Sequence, residues 1–522
     1  MDNDQKEIDR SLGILVKSSA IVFVGIFLSK LFMYLYRIVI ARYYGPEVYG
    51  LFSLAAMITG FFVTLASFGL IEGLSRFIPI YRARHERDKI KYLLKISRII
   101  LFVSGVFSAV ALWILSEFIA ISIFHNQELI LFLRIFSISI PISLLSGTYF
   151  ASIRAHEKIN AYSFGINILQ NGFKLIFVGM FIFLGLKSIE VVSFSYIFPI
   201  FIGLIFAYFY SKIKLSKKLL GGKELSRPEK NKMLIGVLSY SWPLILFGII
   251  GNIMFWMDTL LIGYFKNTYF VGIYNAAIPI ATLLAISQEI FIQMFFPMIT
   301  REMHAKRVKT VRELSKQVTK WICIINTPLL VILLIFPGVF INFFFGPEYL
   351  FANNSLRFLA LGYFVYAITI VSNNLLLSKG KSKLILLNIV VASIINFFLN
   401  YSLIPVYGIT GAAFSTFLSL FILSIMILVE SYYFNKIFPF RRKLLSVGIS
   451  AIVPAIILTW VSSILEVDLL LLTLLGGLFI IFYLILILLT RALDQNDFRI
   501  IRKIWDGITK SVIDRPSIRK IE

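Results

Sequence analysis

Three basic residues stand inside long apolar stretches of the chain. Lys30 and Arg37 are seven residues apart in the first stretch, so they share one helix face, and Lys174 lies in the fifth stretch. A charge in such a setting normally faces a protein interior or a water-filled cavity. Because Lys and Arg donors bind phosphate oxygens, we expect the three residues to bind an anionic group. For Arg37, nearer the end of its stretch, snorkelling to the surface is the alternative.

Uncharged polar side chains accompany these cations. Four residues of the fifth stretch recur at helical spacing and form one polar stripe that ends in Lys174. Amide and hydroxyl groups suit hydroxyl-rich ligands such as sugars, and interhelical hydrogen bonding is the alternative role. The candidates for lining a polar cleft are Tyr34, Asn167, Gln170, Asn171, Asn252 and Asn275.

Few acidic residues are placed to neutralise the cations. Asp258 and Glu289 lie well inside the seventh and eighth stretches, where they could pair with a cation or carry a coupling proton. Glu72 and Arg76 are four residues apart near the end of the second stretch, so an ion pair along one helix face is the simplest interpretation.

The sequence offers no candidate for metal, nucleotide or catalytic chemistry. The four histidines are scattered through gaps and show no ligand spacing. Gly380-Lys381-Ser382 resembles the end of a phosphate-binding loop, but Leu375 stands where the first glycine should be. We therefore predict no cofactor, no metal and no catalytic residue. Transport would then draw its energy from an ion gradient, the membrane potential or the substrate's own gradient.

The elements that must position these residues are membrane helices. The chain is 59% hydrophobic, and its apolar segments have about the 20 residues that cross a ~30 Å hydrocarbon core. The pattern predicts an all-α polytopic membrane protein with about fourteen transmembrane helices. The predicted segments are 14–40, 48–71, 97–120, 129–152, 161–185, 190–211, 234–262, 270–296, 319–344, 356–377, 383–403, 408–433, 444–464 and 468–490.

Positive charge is confined almost entirely to every second gap between these segments. The gaps after odd-numbered segments contain only Arg42, Lys187 and Lys266. The positive-inside rule then predicts a multi-pass protein of the cell membrane with both termini in the cytoplasm. The net charge of +24 is interpreted as a topology signal that also meets anionic lipids, and not as a nucleic-acid interface.

The chain contains an internal repeat. Residues 42–58 resemble residues 264–280, and setting Gly50 on Gly272 also pairs Ser53 with Asn275. Each block lies between an odd and an even segment, which predicts a parallel repeat of two six-helix bundles. The predicted parts are an N-terminal bundle of helices 1–6 (1–212), a basic cytoplasmic linker (213–233), a C-terminal bundle of helices 7–12 (234–435), helices 13–14 (436–490) and a cytoplasmic tail (491–522).

Three strings resemble a known family: 37–55 with Arg42-Tyr-Tyr-Gly-Pro-Glu at its centre, Gly73-Leu-Ser-Arg-Phe-Ile78 and Gly408-Ile-Thr-Gly-Ala-Ala413. They are similar to motifs of polysaccharide-biosynthesis membrane proteins, the Wzx-type flippases of the multidrug/oligosaccharidyl-lipid/polysaccharide exporter superfamily. The resemblance implies a V-shaped pair of bundles that moves a lipid-linked oligosaccharide, phosphate head included, to the outer leaflet. It implies a cationic cavity, here Lys30, Arg37 and Lys174, and contacts with membrane lipids and glycan-assembly enzymes.

Three other functions stay open. A multidrug or cation antiporter of the same superfamily usually has twelve helices and acidic groups in its cleft, whereas the first helix here is basic. A flippase for a lipid-linked peptidoglycan precursor would share the helix count and the cationic cleft. An enzyme that joins or polymerises the same lipid-linked sugar would need a large outward loop, and the outward gaps are short, so we predict a transporter and not an enzyme.

Overall fold

The protein is all-helical in the part that the computed structural model describes, residues 2–186, 188–215, 225–441, 443–464, 468–490 and 492–493. Within these ranges, the side chains of residues 2–24, 26, 246, 247, 252, 294 and 469 are not described. Most of the predicted cytoplasmic tail, 491–522, and the middle of the predicted linker, 213–233, lie outside the described residues.

Ten α-helices precede residue 282 among the described residues. They are α1 (Asp2–Ala66), α2 (Leu70–Ala83), α3 (Arg87–Glu117), α4 (Glu128–Ser137), α5 (Ser139–Ala155), α6 (Ile159–Ser163), α7 (Asn171–Phe183), α8 (Ile189–Tyr210), α9 (Arg227–Phe265) and α10 (Thr268–Ala281). Short π-helical segments extend three of these runs, at Phe118–Ile123, Phe164–Gln170 and Ser211–Leu215.

Seven further α-helices follow in the described part of the chain. They are α11 (Leu284–His304), α12 (Val308–Ile335), α13 (Pro337–Phe344), α14 (Asn353–Ser378), α15 (Ser382–Asn435), α16 (Lys443–Ile464) and α17 (Leu469–Leu489). A 3₁₀-helix at Pro347–Ala352 connects α13 to α14.

Two glycines bend the longest helices at the positions where the sequence predicts a break. Gly45 in α1 has φ 83° and ψ 176°, and Gly408 in α15 has φ 58° and ψ −137°. Residues with a Cβ atom are strained at such positive φ values, so glycine is required for these bends. As a result, α1 contains the first two predicted segments and α15 contains the eleventh and twelfth.

The predicted class of polytopic helical membrane protein is confirmed, but the count of fourteen helices is not. Eleven helices of the described residues are long and apolar enough to cross a membrane, or twelve when one bent pair is taken as a single span. The two kinked helices account for part of the difference, because each runs through a predicted gap. The eighth predicted segment is the bent pair, Thr268–Ala281 and Leu284–Gln293, with an angle of 46° between its halves.

The helices form two compact units, each made of several stretches of chain. The first comprises Met1–Thr282, Ile341–Gly362 and Ser382–Leu423, and the second comprises Leu283–Phe340, Tyr363–Lys381 and Ser424–Glu522. Neither unit corresponds to one predicted bundle, so the division at 1–212 and 234–435 stays a prediction.

The repeated stretches meet each other inside the first unit. A Cβ atom added at Gly50 would lie 1.8 Å from the carbonyl oxygen of Thr268, and one added at Gly272 would lie 1.9 Å from that of Pro46. The repeat alignment pairs Pro46 with Thr268, so the two contacts are reciprocal. The backbones of α1 and α10 can approach this closely only because both positions are glycine.

Candidate functional site

Two of the three predicted cations come together in the first unit. Lys174 lies on α7, with its Nζ 4.4 Å from the ring centroid of Tyr196 on α8. Arg37 on α1 is close enough for its charge to act on Lys174, and both side chains are half-buried. No carboxylate among the described residues forms an ion pair with either of them. The pair is therefore a concentration of positive charge that an anionic ligand would neutralise.

Lys30 lies about two turns before Arg37 on α1 and is also half-buried. Seven residues separate it from Arg37, which is roughly 10 Å along a helix axis. Its neighbour Ser29 accepts a 2.9 Å hydrogen bond from the Nδ2 of Asn171 on α7. The structure thus packs the polar stripe of α7 against the stretch of α1 that contains Lys30, and a contact between Lys30 and a ligand stays a prediction.

An aromatic wall, defined as Tyr36, Tyr49, Phe52, Phe136 and Tyr196, lies beside Arg37 and Lys174. Tyr196 stacks on Phe136 with centroids 4.9 Å apart, and Phe52 meets Tyr196 edge-on at 5.8 Å. Tyr36 and Tyr49 complete the wall from α1, and both lie near Arg37. A cation over an aromatic face gains about 0.5–2 kcal/mol, so the wall stabilises Lys174 without cancelling its charge.

The remaining polar residues of α7 and the π-helical segment before it are engaged with neighbouring helices. Asn167 donates a 3.1 Å hydrogen bond to the Oγ of Ser163. Gln170 packs directly on α8, where a Cβ atom at Gly203 would come within 2.2 Å of its Nε2. Both side chains are half-buried, so they can also reach a ligand after a rotamer change, and their predicted role in a cleft is untested.

The other predicted lining residues have different placements. Tyr34 is half-buried, and its hydroxyl lies 3.1 Å from the Oγ1 of Thr282. Asn275 is fully buried, and its Nδ2 donates to the Oγ1 of Thr259 at 3.2 Å, which favours the interhelical alternative for this residue. The side chain of Asn252 lies outside the described residues.

Asp258 forms the centre of a second polar group, the carboxylate cluster, defined as Asp258, Tyr274, Asn396, Asn400 and Thr416. The Oδ2 of Asp258 accepts hydrogen bonds from the hydroxyls of Tyr274 and Thr416, and its Oδ1 accepts one of 2.7 Å from the Nδ2 of Asn400. Asn396 closes the network, since its Nδ2 donates to Thr416 at 3.1 Å. Asp258 is 8% exposed, and the donors that the described side chains direct at this buried carboxyl group are neutral.

The repeat alignment relates Asp258 to the aromatic wall. The register that sets Gly50 on Gly272 also pairs Tyr36 with Asp258. The first repeat thus carries a phenol where the second carries a carboxyl group.

No ion pair joins Glu72 and Arg76 among the described residues, in contrast to the simplest interpretation of their spacing. Both side chains are exposed, and the guanidinium carbon of Arg76 lies 4.0 Å from the ring centroid of Tyr240 on α9. Stacking on an aromatic face competes with an exposed ion pair worth only about 0.3–0.5 kcal/mol. Glu289 is exposed and belongs to the second unit, whereas Asp258 belongs to the first.

Sequence reasoning did not find the aromatic wall or the hydroxyl partners of Asp258. The wall residues come from α1, α4 and α8, and aromatic residues are too common in this chain, 16%, for any of them to stand out. Tyr274 had a detectable signal, because it lies inside the repeated stretch. Thr416 had none, since a single threonine in an apolar helix indicates no particular partner.

Comparisons with known proteins agree with this architecture. Residues 15–303 match the family model described as polysaccharide biosynthesis protein, and residues 243–402 match the MatE family model. The chain is 25% identical over 446 residues to an uncharacterised membrane protein of Methanocaldococcus jannaschii, covering 82% of this chain and 86% of that protein. It is 25% identical over 392 residues to the "Putative O-antigen transporter" of Shigella flexneri, covering 72% of this chain and 88% of that protein.

A solved structure shows the same fold. The lipid II flippase MurJ in an inward closed conformation matches with a TM-score of 0.68 and 14% identity, over 88% of this chain and 97% of that chain. At this level of identity the likeness concerns the arrangement of helices and not the ligand.

Proposed function

Because the chain belongs to the polysaccharide biosynthesis protein family, within a superfamily of transporters, we propose that it flips a lipid-linked oligosaccharide across the cell membrane. The phosphate or diphosphate head and the sugars pass through a polar cleft while the lipid tail stays in the bilayer. Transport runs from the cytoplasmic to the outer leaflet by alternating access between helices 1–6 and helices 7–12. Both termini are cytoplasmic, and glycan-assembly enzymes use the product.

Arg37 and Lys174 are the strongest support for an anionic substrate. Two cations held close together repel each other, and no described carboxylate pairs with either one. A phosphate group between them would relieve this repulsion and accept charge-assisted hydrogen bonds, each worth about 1.5–3 kcal/mol. Amides of the neighbouring stripe, such as Asn167 and Gln170, are suited to hydroxyl groups of the attached sugars.

Asp258 is the proposed site of a coupling proton. In this structure its two oxygens accept three hydrogen bonds, an arrangement that suits the ionised group. Protonation would turn one acceptor oxygen into a donor, so the hydroxyl of Tyr274 or Thr416 would have to accept where it now donates, or the amide of Asn400 would have to turn away. Proton binding would thus change the contacts among α9, α10 and α15, which links the proton gradient to a rearrangement of helices.

A lipid-linked peptidoglycan precursor is the second candidate substrate. The cations at Arg37 and Lys174 fit it equally well, because such a precursor carries the same kind of anionic head. A multidrug or cation antiporter would fit the match of residues 243–402 to the MatE model, but the cations at Arg37 and Lys174 would repel a cationic drug. Depletion of the protein separates the candidates, because the glycan that accumulates on the cytoplasmic leaflet identifies the substrate.

Charge reversal tests the anionic-substrate proposal directly. Lys174→Glu and Lys30→Glu should abolish flipping of the lipid-linked glycan in inverted membrane vesicles, because a carboxylate repels the phosphate that lysine attracts. Lys174→Arg should retain partial activity, since charge matters more than shape for a point contact. Lys309→Glu, at an exposed position of the second unit, is the matched control. Wild-type flipping rates in both Lys→Glu variants would show that these lysines are structural.

A further inference from the structure

Two turns of the same sequence face each other in the first unit. Gly45-Pro46-Glu47 follows the first half of α1, and Gly346-Pro347-Glu348 follows α13. Gly45 and Gly346 have φ values of 83° and 110° with ψ values of 176° and 172°, so the two turns share a conformation that favours glycine.

The two turns enclose an open cavity of about 550 Å³. Its polar lining comes from Arg42, Tyr43, Tyr44 and Glu348, together with Tyr349. This volume lies within the ~300–1,000 Å³ of small-ligand sites. Arg42, Tyr43 and Glu348 are exposed to the cavity or its mouth, so their donors, ring face and carboxylate are available to a ligand.

Hydrogen bonds to backbone carbonyls fix the walls of the cavity. The Nη2 of Arg42 donates to the carbonyl oxygen of Phe343 at 2.6 Å, at the end of α13. The hydroxyl of Tyr349 donates to the carbonyl of Ala41 at 2.9 Å, and that of Tyr44 donates to the carbonyl of Leu186 at 3.1 Å. Side chains from each turn thus hold the backbone of another segment, and the cavity is formed before any ligand binds.

We propose that this cavity is a binding site for the neutral sugar units of the transported substrate. Tyr43 offers an exposed ring, held edge-on against Tyr44 with centroids 5.0 Å apart, and a pyranose stacks its C–H face on such a ring. The Glu348 carboxylate accepts hydrogen bonds from sugar hydroxyls, and the free N–H groups of Arg42 donate to them.

The charge of the cavity favours a neutral ligand over a phosphate. Its guanidinium, Arg42, already donates to the carbonyls of Asn342 and Phe343, and the Glu348 carboxylate lies in the same lining. Because the negative charge of Glu348 offsets the positive charge of Arg42, the cavity has no net attraction for an anionic head group. Hydroxyl-rich ligands need both donors and acceptors, and the lining offers both.

The position of the cavity suits the sugars if the head is held at Arg37. Arg42 lies five residues beyond Arg37 on the same half of α1, which is about 7–8 Å along the axis. The charge pattern places Arg42 on the predicted outer side. Five residues also turn the helix by roughly 140°, so the cavity lies on another face of α1 than Arg37. Sugar units beyond the first can therefore reach it while the phosphate stays beside Arg37 and Lys174, and this inference rests on the proposed lipid-linked substrate.

The test measures binding of the glycan without its lipid or phosphate. The probe is the oligosaccharide released by mild acid from the lipid-linked pool of the native host, added to the purified full-length protein in lipid nanodiscs. Saturation-transfer NMR should show binding to the wild type. Tyr43→Ala and Glu348→Gln should each weaken it about five- to tenfold, the loss of one stacking contact or one hydrogen bond. Inorganic diphosphate, as a competitor, should not displace the sugar.

Two control variants make the result specific. Tyr264→Ala removes an exposed tyrosine that meets Phe265 edge-on at 4.9 Å outside the cavity, and Glu128→Gln neutralises an exposed outer carboxylate. Both should bind the released glycan as the wild type does. Lys174→Gln should also bind it normally while failing to flip the lipid-linked form, which separates the sugar site from the head-group site.

Each contrary outcome has a distinct meaning. Absence of glycan binding to the wild type, equal binding in Tyr43→Ala and Glu348→Gln, or displacement by diphosphate would each overturn the sugar site. Normal flipping by Lys174→Gln would instead contradict the proposed function, whatever the glycan-binding result.

Discussion

Replacing Gly50 with alanine tests the close crossing of the two repeats. The new methyl carbon would lie 1.8 Å from the carbonyl oxygen of Thr268 and 3.0 Å from the backbone nitrogen of Gly272. An ordinary contact needs at least 3.4 Å, so α1 and α10 would have to separate by about 1.6 Å. Both obstructing atoms belong to backbone, which cannot rotate away as a side chain can.

The expected cost is at the upper end of the range for overpacking, about 3 kcal/mol of unfolding free energy. At roughly 2 °C per kcal/mol for a large chain, the apparent melting temperature of the purified protein should fall by about 6 °C. Gly272→Ala should behave in the same way, because its methyl carbon would meet the carbonyl of Pro46 at 1.9 Å.

Gly60→Ala is the matched control on the same helix. Nothing lies within 4 Å of a Cβ atom at Gly60, so alanine should be neutral or stabilise the helix by about 0.5–1 kcal/mol. The reasoning would be refuted if Gly50→Ala and Gly60→Ala melted at the same temperature. Loss of stability in Gly60→Ala alone would show that the contact between α1 and α10 is not the sensitive one.

Three further predictions use other features of the chain. Asp258→Asn should leave the protein folded but stop transport driven by an imposed pH gradient, measured in reconstituted vesicles. Unchanged pH-driven transport would show that Asp258 does not carry the coupling proton. Gly73→Ala should lower the melting temperature, because its methyl carbon would lie 2.4 Å from the Oγ of Ser241. Adding Ser241→Ala should restore the melting temperature, and a double variant as unstable as the single one would rule out this contact. Cysteines placed at Lys266 and Lys223, in a chain without the native cysteine, should be labelled from opposite faces of the membrane, and labelling from one face would break the predicted topology.

Arg42 and Lys266, two of the three cations in the gaps predicted to lie outside, make local structural contacts. Arg42 donates to the carbonyls at the end of α13, and Lys266 donates to the carbonyl of Pro405 at 3.0 Å, just before the bend at Gly408. Arg42 therefore lies at the C-terminal end of a helix, where positive charge is favourable, and Lys266 meets a carbonyl beside a bend. These two exceptions to the positive-inside pattern thus have a local structural role.

The sequence by itself determined the class of the protein and the positions of its main bends. Apolar length fixes which stretches are helical in a membrane, because every backbone polar group must be bonded within the segment. The limits of the predicted segments put breaks at 41–47 and 404–407, which contain Gly45 and end beside Gly408, and the repeat alignment pairs Gly50 with Gly272, whose backbones meet in the structure. These features are encoded locally or as similarity within the chain.

Only the tertiary structure decided which side chains meet. Arg76 stacks on the ring of Tyr240 and forms no ion pair with Glu72. Asp258 accepts a hydrogen bond from Thr416, which is 158 positions away in the chain. Such contacts depend on the rotation and tilt of each helix, which packing against neighbouring helices sets and hydropathy does not encode. The sequence therefore predicts that Lys174 is buried in a membrane helix, but the aromatic ring beneath its ammonium group and the nearby Arg37 follow only from how α1, α7 and α8 pack.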